Sequence, residues 1–511
     1  MQQGIVYLIG AGPGDPGLIT VKGQNCLRRA EVVVYDYLAN PVLLDEAPAA
    51  AERIYVGKTR GRHHLPQEEI NALLIQRARQ GLIVARLKGG DPYVFGRGGE
   101  EAEELQRAGV PFEVVPGISA GFAAAAYAGI PLTHRDYTTS LGLVTGHENP
   151  AKKVSNLDWE KLSTGVGTLV FYMGMTNLEL ITGKLLTHGR SPATPVAVIR
   201  WGTTPRQQTV TGTLADIADQ VRQANLKPPA VIVVGEVVNL RKTLRWFDNR
   251  PLFGRRIVVT RGLHQARDMI NRLQAAGAEA LCLPTIETVP PESWQDLDAA
   301  IARLSVTDLL ILTSANGVAA FFARLTLAGL DSRALRGVGL VAVGPKTAAA
   351  LAEHGLRADL VPADHRAEGV VALLREQNVA GKHILYPRSA LARDLICREL
   401  TAAGAVVDAP IAYRTLQPEA DREGLRRMFA ENPVDAITFT SSSAVDHFMA
   451  LLGEGGTCLP PQVAVASIGP LTSEAARRHG LTVTVEASAA TGEALVAALG
   501  EHFRSKSGSD K

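Results

Sequence analysis

Cysteine is scarce in this chain: four residues among 511, at positions 26, 282, 397 and 458. No two of them form a C-x-x-C pair, which excludes a disulfide framework. The twelve histidines are scattered, so no metal-ligand spacing forms either. A reducing, cytoplasmic setting follows as the default. Charge of one sign is lacking too. Fifty-three basic residues face 51 acidic ones, and a net +2 argues against a generally nucleic-acid-binding chain. Long apolar runs are also missing. The best candidate, "ISAGFAAAAYAGIPL" (118–132), is broken by glycine and falls short of the roughly 20 residues a membrane span needs. It reads as a buried helix. The N-terminus has no basic stretch and its first apolar run stops at Gly10, so it does not read as a signal peptide.

What is present is an ordinary globular mixture, 46% hydrophobic and 20% charged, long enough for three or four domains. Short β-branched runs alternate with helical stretches throughout, the pattern of α/β layers. The strands read as "IVYLIG", "EVVVYD", "LIVARLKG", "PFEVVPG", "LGLVTGH", "TLVFYMG", "TPVAVIRWG" and "AVIVVGEVV". Helices lie between them, among others at 66–81 and 99–109. The first region divides into lobes at about 1–135 and 136–245, and the charged, proline-interrupted segment 246–254 reads as a linker.

The remainder repeats itself. "GRRIVVTRGLHQARDMINRLQAAGAEALCLPTI" (254–286) recurs as "GKHILYPRSALARDLICRELTAAGAVVDAPIAY" (381–413). "LLILTSANGVAAFFARL" (309–325) recurs as "AITFTSSSAVDHFMALL" (436–452), and "VAVGPKTAAALAEHGL" (341–356) as "ASIGPLTSEAARRHGL" (466–481). Three blocks in order at an offset of about 125–127 residues imply two similar α/β lobes, not a solenoid. A cleft between two such lobes is a common place for a ligand.

The stretch "GAGPGDPG" (10–17) follows a strand and precedes a helix, as a dinucleotide fingerprint does. Its third glycine place, however, holds Asp15, whose carboxylate would repel a pyrophosphate. Asp15 before Pro16 reads instead as a helix N-cap with proline in the first helical position. A second glycine-rich turn, "RLKGGDPYVFGRGGEE" (86–101), again runs from strand to helix. Two such turns at the ends of neighbouring strands point to a ligand lying against bare backbone.

Together, "GAGPGDPGLITVKG", "VVVYDYL", "VGK", "RLKGGDPYVFGRGGEE", "VVPGISA", "AGIPLTHR" and "FYMGM" resemble the uroporphyrinogen-III C-methyltransferases, tetrapyrrole methylases that use S-adenosylmethionine, over about residues 3–245. "TSANGV", "TSSSAV", "SIGPLTSEA" and the doubled layout resemble uroporphyrinogen-III synthase over about 254–503. The resemblance implies an α/β chain in which a two-lobed tetrapyrrole-methylase fold (1–245) precedes a duplicated two-lobed synthase fold (255–505), with a disordered tail at 506–511. It further implies closure of hydroxymethylbilane to uroporphyrinogen III with inversion of the last ring. Methylation at C2 and C7 would then give precorrin-2, on the siroheme and cobalamin branch. S-adenosylmethionine would be the donor, no metal is implied, and a homodimer through the methylase half is expected.

Carried over motif by motif, Pro13, Gly89, Gly90, Asp91, Val94, Ser119, Ala120, Met173 and Gly202 would hold the donor. Asp36 would accept a proton and Lys58 would donate one. The polycarboxylate substrate calls for cations, for which "TRGRHH" (59–64), Arg97 and Arg135 are candidates. In the second half Tyr413 would assist departure of water and Thr472 would belong to the ligand loop. Thr313, Ser314, Thr440 and Ser441 could donate hydroxyls to carboxylates, or equally cap helices. Three alternatives stand beside this reading: methylation of another corrinoid precursor, an NAD-dependent oxidoreductase, and a non-catalytic two-lobed binding protein for the repeated half.

Overall fold

The computed structural model describes residues 4–57, 65–147, 156–260, 262–285, 287–416, 429, 433–453 and 459–509. Lys58, the "TRGRHH" cluster at 59–64 and Cys458 lie outside them. Contacts group the chain into two compact units. One is Met1–Arg256 with Arg272–Ala280 and Leu499–Lys511, the other Ile257–Asn271 with Leu281–Ala498.

All eight strands read from apolar runs form in the first unit. The first sheet contains β1 (Ile5–Gly10), β2 (Val32–Tyr35), β3 (Glu52–Tyr55), β4 (Ile83–Lys88) and β5 (Phe112–Val115) in the order β3-β2-β4-β1-β5, every pair parallel. β3, "ERIY", escaped the sequence reading because it is a partly exposed edge strand with no apolar run. The period of two sends alternate residues to opposite faces. Ile9, Val33, Ala85 and Leu87 pack with α1 (Val21–Leu27) and the 3-10 turn Pro41–Glu46. Val6, Leu8, Val32, Val34 and Val84 pack under α2 (Gln67–Arg79) and α3 (Gly98–Arg107). Both faces are covered, which is why these strands read as continuous apolar runs.

The second sheet contains β6 (Leu141–Thr145), β7 (Thr168–Tyr172), β8 (Pro195–Arg200), β9 (Gln208–Thr213) and β10 (Ala230–Val234) in the order β6-β7-β10-β8-β9. Here β6 and β7 are parallel, while β10 runs antiparallel to both β7 and β8, and β9 antiparallel to β8. β9, "QTVTGT", is a polar edge and was also missed. The alanine-rich stretch forms α4 (Ala120–Tyr127), whose Ala124 and Ala125 lie against Val170, Ala197, Ile199 and Val233 of this sheet. Small side chains permit that approach: a Cβ on Gly202 would lie 2.4 Å from Ala124 Cβ. Ile118 and Phe122 are exposed, so the segment is buried on one face rather than wholly. The expected linker carries buried Phe247 and Leu252, and Tyr127 packs edge-on against Trp246 and Phe247.

In the second unit, β11 (Arg256–Val259), β12 (Glu279–Cys282), β20 (Ala436–Phe439), β21 (Ala464–Ser467) and β22 (Val483–Glu486) form one sheet, ordered β12-β11-β20-β21-β22. The other contains β14 (Leu309–Leu312), β15 (Gly339–Ala342), β16 (His383–Leu385) and β18 (Val406–Asp408), ordered β15-β14-β16-β18. A small sheet of β13 (Glu287–Val289), β17 (Arg388–Ser389) and β19 (Ile411–Leu416) completes the unit. The two lobes are similar, yet neither coincides with one sequence repeat. Each joins the opening strands of one repeat to the closing strands of the other, so the repeats interleave. The last helix, Gly492–Ser509, continues into the segment expected as a tail.

Candidate active sites

In the first unit the chain leaves β1 toward β2 and β4 toward β5, in opposite directions across the sheet. Ligands of open parallel sheets collect at the carboxyl ends of strands where the order reverses in this way. The two glycine-rich turns meet there. Gly12 N–H donates to Gly90 O (3.2 Å) and Gly90 N–H to Gly12 O (2.7 Å). The turn after β5 joins them: a Cβ on Gly10 would stand 2.4 Å from Gly117 Cα and 2.7 Å from Gly90 O. A Cβ on Gly117 would stand 2.3 Å from Gly90 O. Three turns thus converge backbone to backbone, and no other residue fits at Gly10 or Gly117.

Asp91 ties this cradle. One carboxylate oxygen accepts from Tyr93 N–H (2.8 Å) and Val94 N–H (3.1 Å), the other from Gly117 N–H (3.0 Å). Its side chain therefore shapes the loops that were expected to hold a ligand. Asp15 caps the 3-10 turn Pro16–Leu18 as expected, accepting from Gly17 N–H (2.8 Å), and it also accepts from the Tyr127 hydroxyl (2.8 Å). Its carboxylate stands in the third-glycine place and leaves none of the bare amides a pyrophosphate requires there. Pro13 lies between Gly12 and Gly14 on the same turn.

The opposite lobe presents Met173 after β7 and Gly202 after β8. Met173, Trp201 and Thr203 there, and Phe95 and Arg97 on the β4 loop, all adopt positive φ, from 49° to 70°. Non-glycine residues rarely do so, and such conformations collect at functional sites. Ser119 is buried, and its hydroxyl pairs with the Tyr172 hydroxyl at 2.8 Å. That phenol also accepts Gly121 N–H (3.0 Å), joining the start of α4 to the end of β7. Burial holds the Tyr172 phenol above its ordinary pKa. Val94 and Ala120 are partly buried against the same core.

Asp36 directly follows β2, with its side chain 26% exposed. One oxygen accepts from Leu38 N–H (3.1 Å) and the other from Arg86 Nη2 (3.3 Å). Arg86 is the visible end of a buried network that sequence reasoning missed. Its Nε donates to Glu101 Oε1 (3.2 Å), which also accepts from Lys88 Nζ (2.8 Å) and Gln67 Nε2 (3.1 Å). Glu101 is 0% exposed and Arg86 4%. The formal charges of Asp36, Arg86, Glu101 and Lys88 cancel. Burial, with Arg86 alongside, keeps the Lys88 ammonium below its ordinary pKa. The signal was in the sequence. Arg86 and Lys88 alternate with Ala85 and Leu87 in an otherwise apolar strand, so both must turn to the face under α3, where Glu101 lies one turn before Leu105. Tyr172 left no such trace.

The expected substrate cations are less committed. Arg97 is exposed and gripped by Glu100, with Nε–Oε1 2.9 Å and Nη2–Oε2 2.6 Å. Arg135 is exposed on the turn closed by His134 and Thr138.

In the second unit, Ser314 and Ser441 are helix N-caps, accepting from Gly317 N–H (3.0 Å) and Ala444 N–H (3.2 Å). Ser314 does more: its Oγ lies 2.9 Å from the Tyr413 hydroxyl. The structure thus brings Ser314 and Tyr413 together. Burial raises the pKa of the Tyr386 phenol, with Thr313 opposing the shift. Thr440 and Thr472 stand at the strand ends of the other sheet, both buried, Thr472 in the first turn of helix Pro470–Arg478. Among the described residues, no group of three or more His, Cys, Asp or Glu could hold a metal ion, and no helix is long and apolar enough to cross a membrane.

Known proteins match this layout. The tetrapyrrole (corrin/porphyrin) methylase family matches residues 5–218, and the family of uroporphyrinogen-III synthase HemD matches residues 267–497. The porphyrin biosynthesis protein HemD of Ruminiclostridium josui is 37% identical over 486 residues, 95% of this chain and 95% of that protein. The uroporphyrinogen-III C-methyltransferase of Bacillus subtilis (strain 168) is 45% identical over 335 residues, 66% of this chain and 68% of that protein. A crystal structure of uroporphyrin-III C-methyl transferase from Thermus thermophilus complexed with S-adenyl homocysteine is 41% identical, covering 46% of this chain and 99% of that one at a TM-score of 0.40. The chain belongs to the family of porphyrin biosynthesis proteins in which a tetrapyrrole methylase is followed by a HemD-type uroporphyrinogen-III synthase.

Proposed function

We propose that this chain is a bifunctional enzyme that closes hydroxymethylbilane to uroporphyrinogen III and methylates that product to precorrin-2. The observation that carries the methylase half is the convergence of Gly10, Gly90 and Gly117 backbones beside Asp36. Bare backbone, apolar neighbours at Val94, Ala120 and Met173, and carboxylates at Asp15 and Asp36 suit a sulfonium nucleoside and repel a pyrophosphate. Pro13, Gly89, Gly90, Asp91, Val94, Ser119, Ala120, Met173 and Gly202 would hold S-adenosylmethionine, which when bound supplies an electrophilic methyl group. For each transfer the methyl–sulfur bond breaks with its electron pair staying on sulfur, and a carbon–carbon bond forms at a pyrrole carbon. The ring proton then leaves. Asp36 would take it, a reading supported by the hydrogen bonds from Leu38 N–H and Arg86 that orient its carboxylate. Lys58 keeps the proton-donor role in this proposal. Alignment dominates such a displacement and can supply roughly 7–11 kcal/mol of the barrier.

For ring closure with inversion, the bond from the terminal hydroxymethyl carbon to oxygen breaks and the oxygen leaves as water with one added proton. That carbon bonds to the substituted α-carbon of the last ring, whose bond to the chain breaks and re-forms at the ring's free α-carbon, which gives up its proton. Tyr413 would deliver the proton added to the departing oxygen, a reading supported by its hydrogen bond to Ser314 at the start of helix Ala315–Leu327. Thr313, Thr440, Ser441 and Thr472 hold substrate carboxylates, as Arg97 and Arg135 do in the methylase half. The enzyme works in the cytoplasm as a homodimer paired through its methylase half. Cys26 and Cys397 are free thiols, which suits a reducing compartment.

The test is a coupled assay from hydroxymethylbilane with labelled S-adenosylmethionine, read by mass spectrometry. Two added methyl groups on the type III ring are expected. Asp36→Ala should stop methylation and leave ring closure intact. Methylation of a later corrinoid precursor alone, or formation of only the uninverted ring, would overturn the proposal.

A further inference from the structure

The internal repeat sets Arg388 of "LYPRS" in register with Arg261 of "VVTRG" in the sequence. Arg388 starts β17, three residues beyond the end of β16, with its own N–H donating to Pro410 O (2.9 Å). The next residue, Ser389, pairs with Tyr413, the residue that contacts Ser314. Pro387 O would lie 3.6 Å from a Cβ on Gly317, in the first turn of the helix that Ser314 caps. Arg388 therefore neighbours the Ser314–Tyr413 pair.

Its guanidinium is poorly satisfied for its burial. The side chain is 24% exposed, yet Nε is buried with no partner. Nη1 makes one long bond to Ala392 O (3.3 Å) and a loose ion pair at 3.6 Å with Asp394, itself 75% exposed. Arg324, 22% exposed, is gripped by Asp298 through Nε (2.8 Å) and Nη2 (2.5 Å), and Arg77, whose Nε is likewise buried without a partner at 25% exposure, has an acceptor on each terminal nitrogen. An arginine offers five donors in a planar fork that matches a carboxylate. Nη2 has no partner among the described residues, and on a side chain 24% exposed it is the end of the fork open to an acceptor that arrives from outside.

We propose that Arg388 binds a carboxylate of the synthase substrate through Nη2. This rests on the synthase assignment above and adds a residue that orients the chain end beside Tyr413. Asp394 holds the guanidinium loosely until the carboxylate arrives.

The experiment measures ring closure by the full-length chain on hydroxymethylbilane generated in situ, for wild type, Arg388→Leu, Arg388→Lys and Asp394→Asn. Loss of a charge-assisted bond should raise KM about 10- to 100-fold in Arg388→Leu, with kcat changing far less. Arg388→Lys should fall between, keeping charge but losing the fork. Asp394→Asn should leave KM unchanged or lower it. Methylation of supplied uroporphyrinogen III should be unchanged in all three. If Arg388→Leu does not fold, Arg388→Gln, which keeps shape and a donor, replaces it with the same expectation. A KM within twofold of wild type overturns the assignment. So does an equal loss in Arg388→Leu and Asp394→Asn, which would mark a structural ion pair. A wild-type chain that does not close hydroxymethylbilane at all overturns the synthase assignment itself, and this one with it.

Discussion

Replacing Tyr172 by Phe removes one oxygen atom from the join between α4 and β7. The ring stays in its place among Val170, Ala197, Ile199 and Val233. What is lost is the acceptor of Gly121 N–H (3.0 Å) and the partner of Ser119 Oγ (2.8 Å). Gly121 lies in the first turn of α4, where N–H groups have no intrahelical carbonyl to turn to. A Cβ on Gly121 would stand 2.2 Å from the phenol oxygen, so the space left behind is that of one atom, with little room for a replacement water. Leaving a buried donor unanswered costs about 1–3 kcal/mol. At about 2 kcal/mol, local opening becomes roughly 30-fold more frequent. Hydrogen exchange by mass spectrometry on the peptide covering Ala120–Tyr127 should therefore accelerate by about that factor at neutral pH. Adding Ser119→Ala should cost less in the Tyr172→Phe background than in wild type, because its partner is already gone. The buried phenol is also held above its ordinary pKa. An unfolded tyrosine loses its proton first as pH rises past about 10, so this contribution is complete below that value and declines as pH climbs toward the folded pKa. Tyr172→Phe should lack that alkaline decline. Unchanged exchange in α4, or full additivity of the two substitutions, would refute the reasoning.

Three further outcomes are expected. Gly10→Ala would drive a Cβ into backbone at Gly117 and Gly90, so the turns must part; S-adenosylhomocysteine affinity should fall at least about tenfold and stability by about 1–3 kcal/mol, read by calorimetry and denaturant unfolding. Glu101→Gln leaves the Arg86 and Lys88 cations buried without their shared carboxylate, and should cost about 3–5 kcal/mol in urea unfolding followed at Trp159 and Trp201. Ser314→Ala and Ser441→Ala each remove an N-cap and should each cost about 1 kcal/mol; Ser314→Ala should also lower kcat for ring closure, through Tyr413, whereas Ser441→Ala should raise KM through the lost substrate hydroxyl.

Legibility in the sequence followed burial. Strands covered on both faces, such as "IVYLIG" and "AVIVVG", announce themselves as apolar runs, whereas the edge strands "ERIY" and "QTVTGT" do not. Asp15 was readable as a cap because a cap is a local event. The duplication was readable, but the interleaving of the repeats was not, since pairing β11 with β20 depends on contacts far apart along the chain. Asp91 shows what a local reading leaves out: its place in a glycine turn suggests a ligand contact, and its two oxygens also close three loop amides. The network behind Asp36 was half legible, as charges at alternate positions of a buried strand. Tyr172, one hydroxyl at the end of an apolar strand, becomes visible only when α4 packs against it.

The account stands on a backbone cradle that takes a sulfonium nucleoside rather than a pyrophosphate. Equilibrium titration of the full-length chain with S-adenosylhomocysteine and, separately, with NADH tests this most directly. Saturable binding of S-adenosylhomocysteine, weakened by Gly10→Ala and with no comparable uptake of NADH, is expected. Tight binding of NADH alongside indifference to S-adenosylhomocysteine would contradict it.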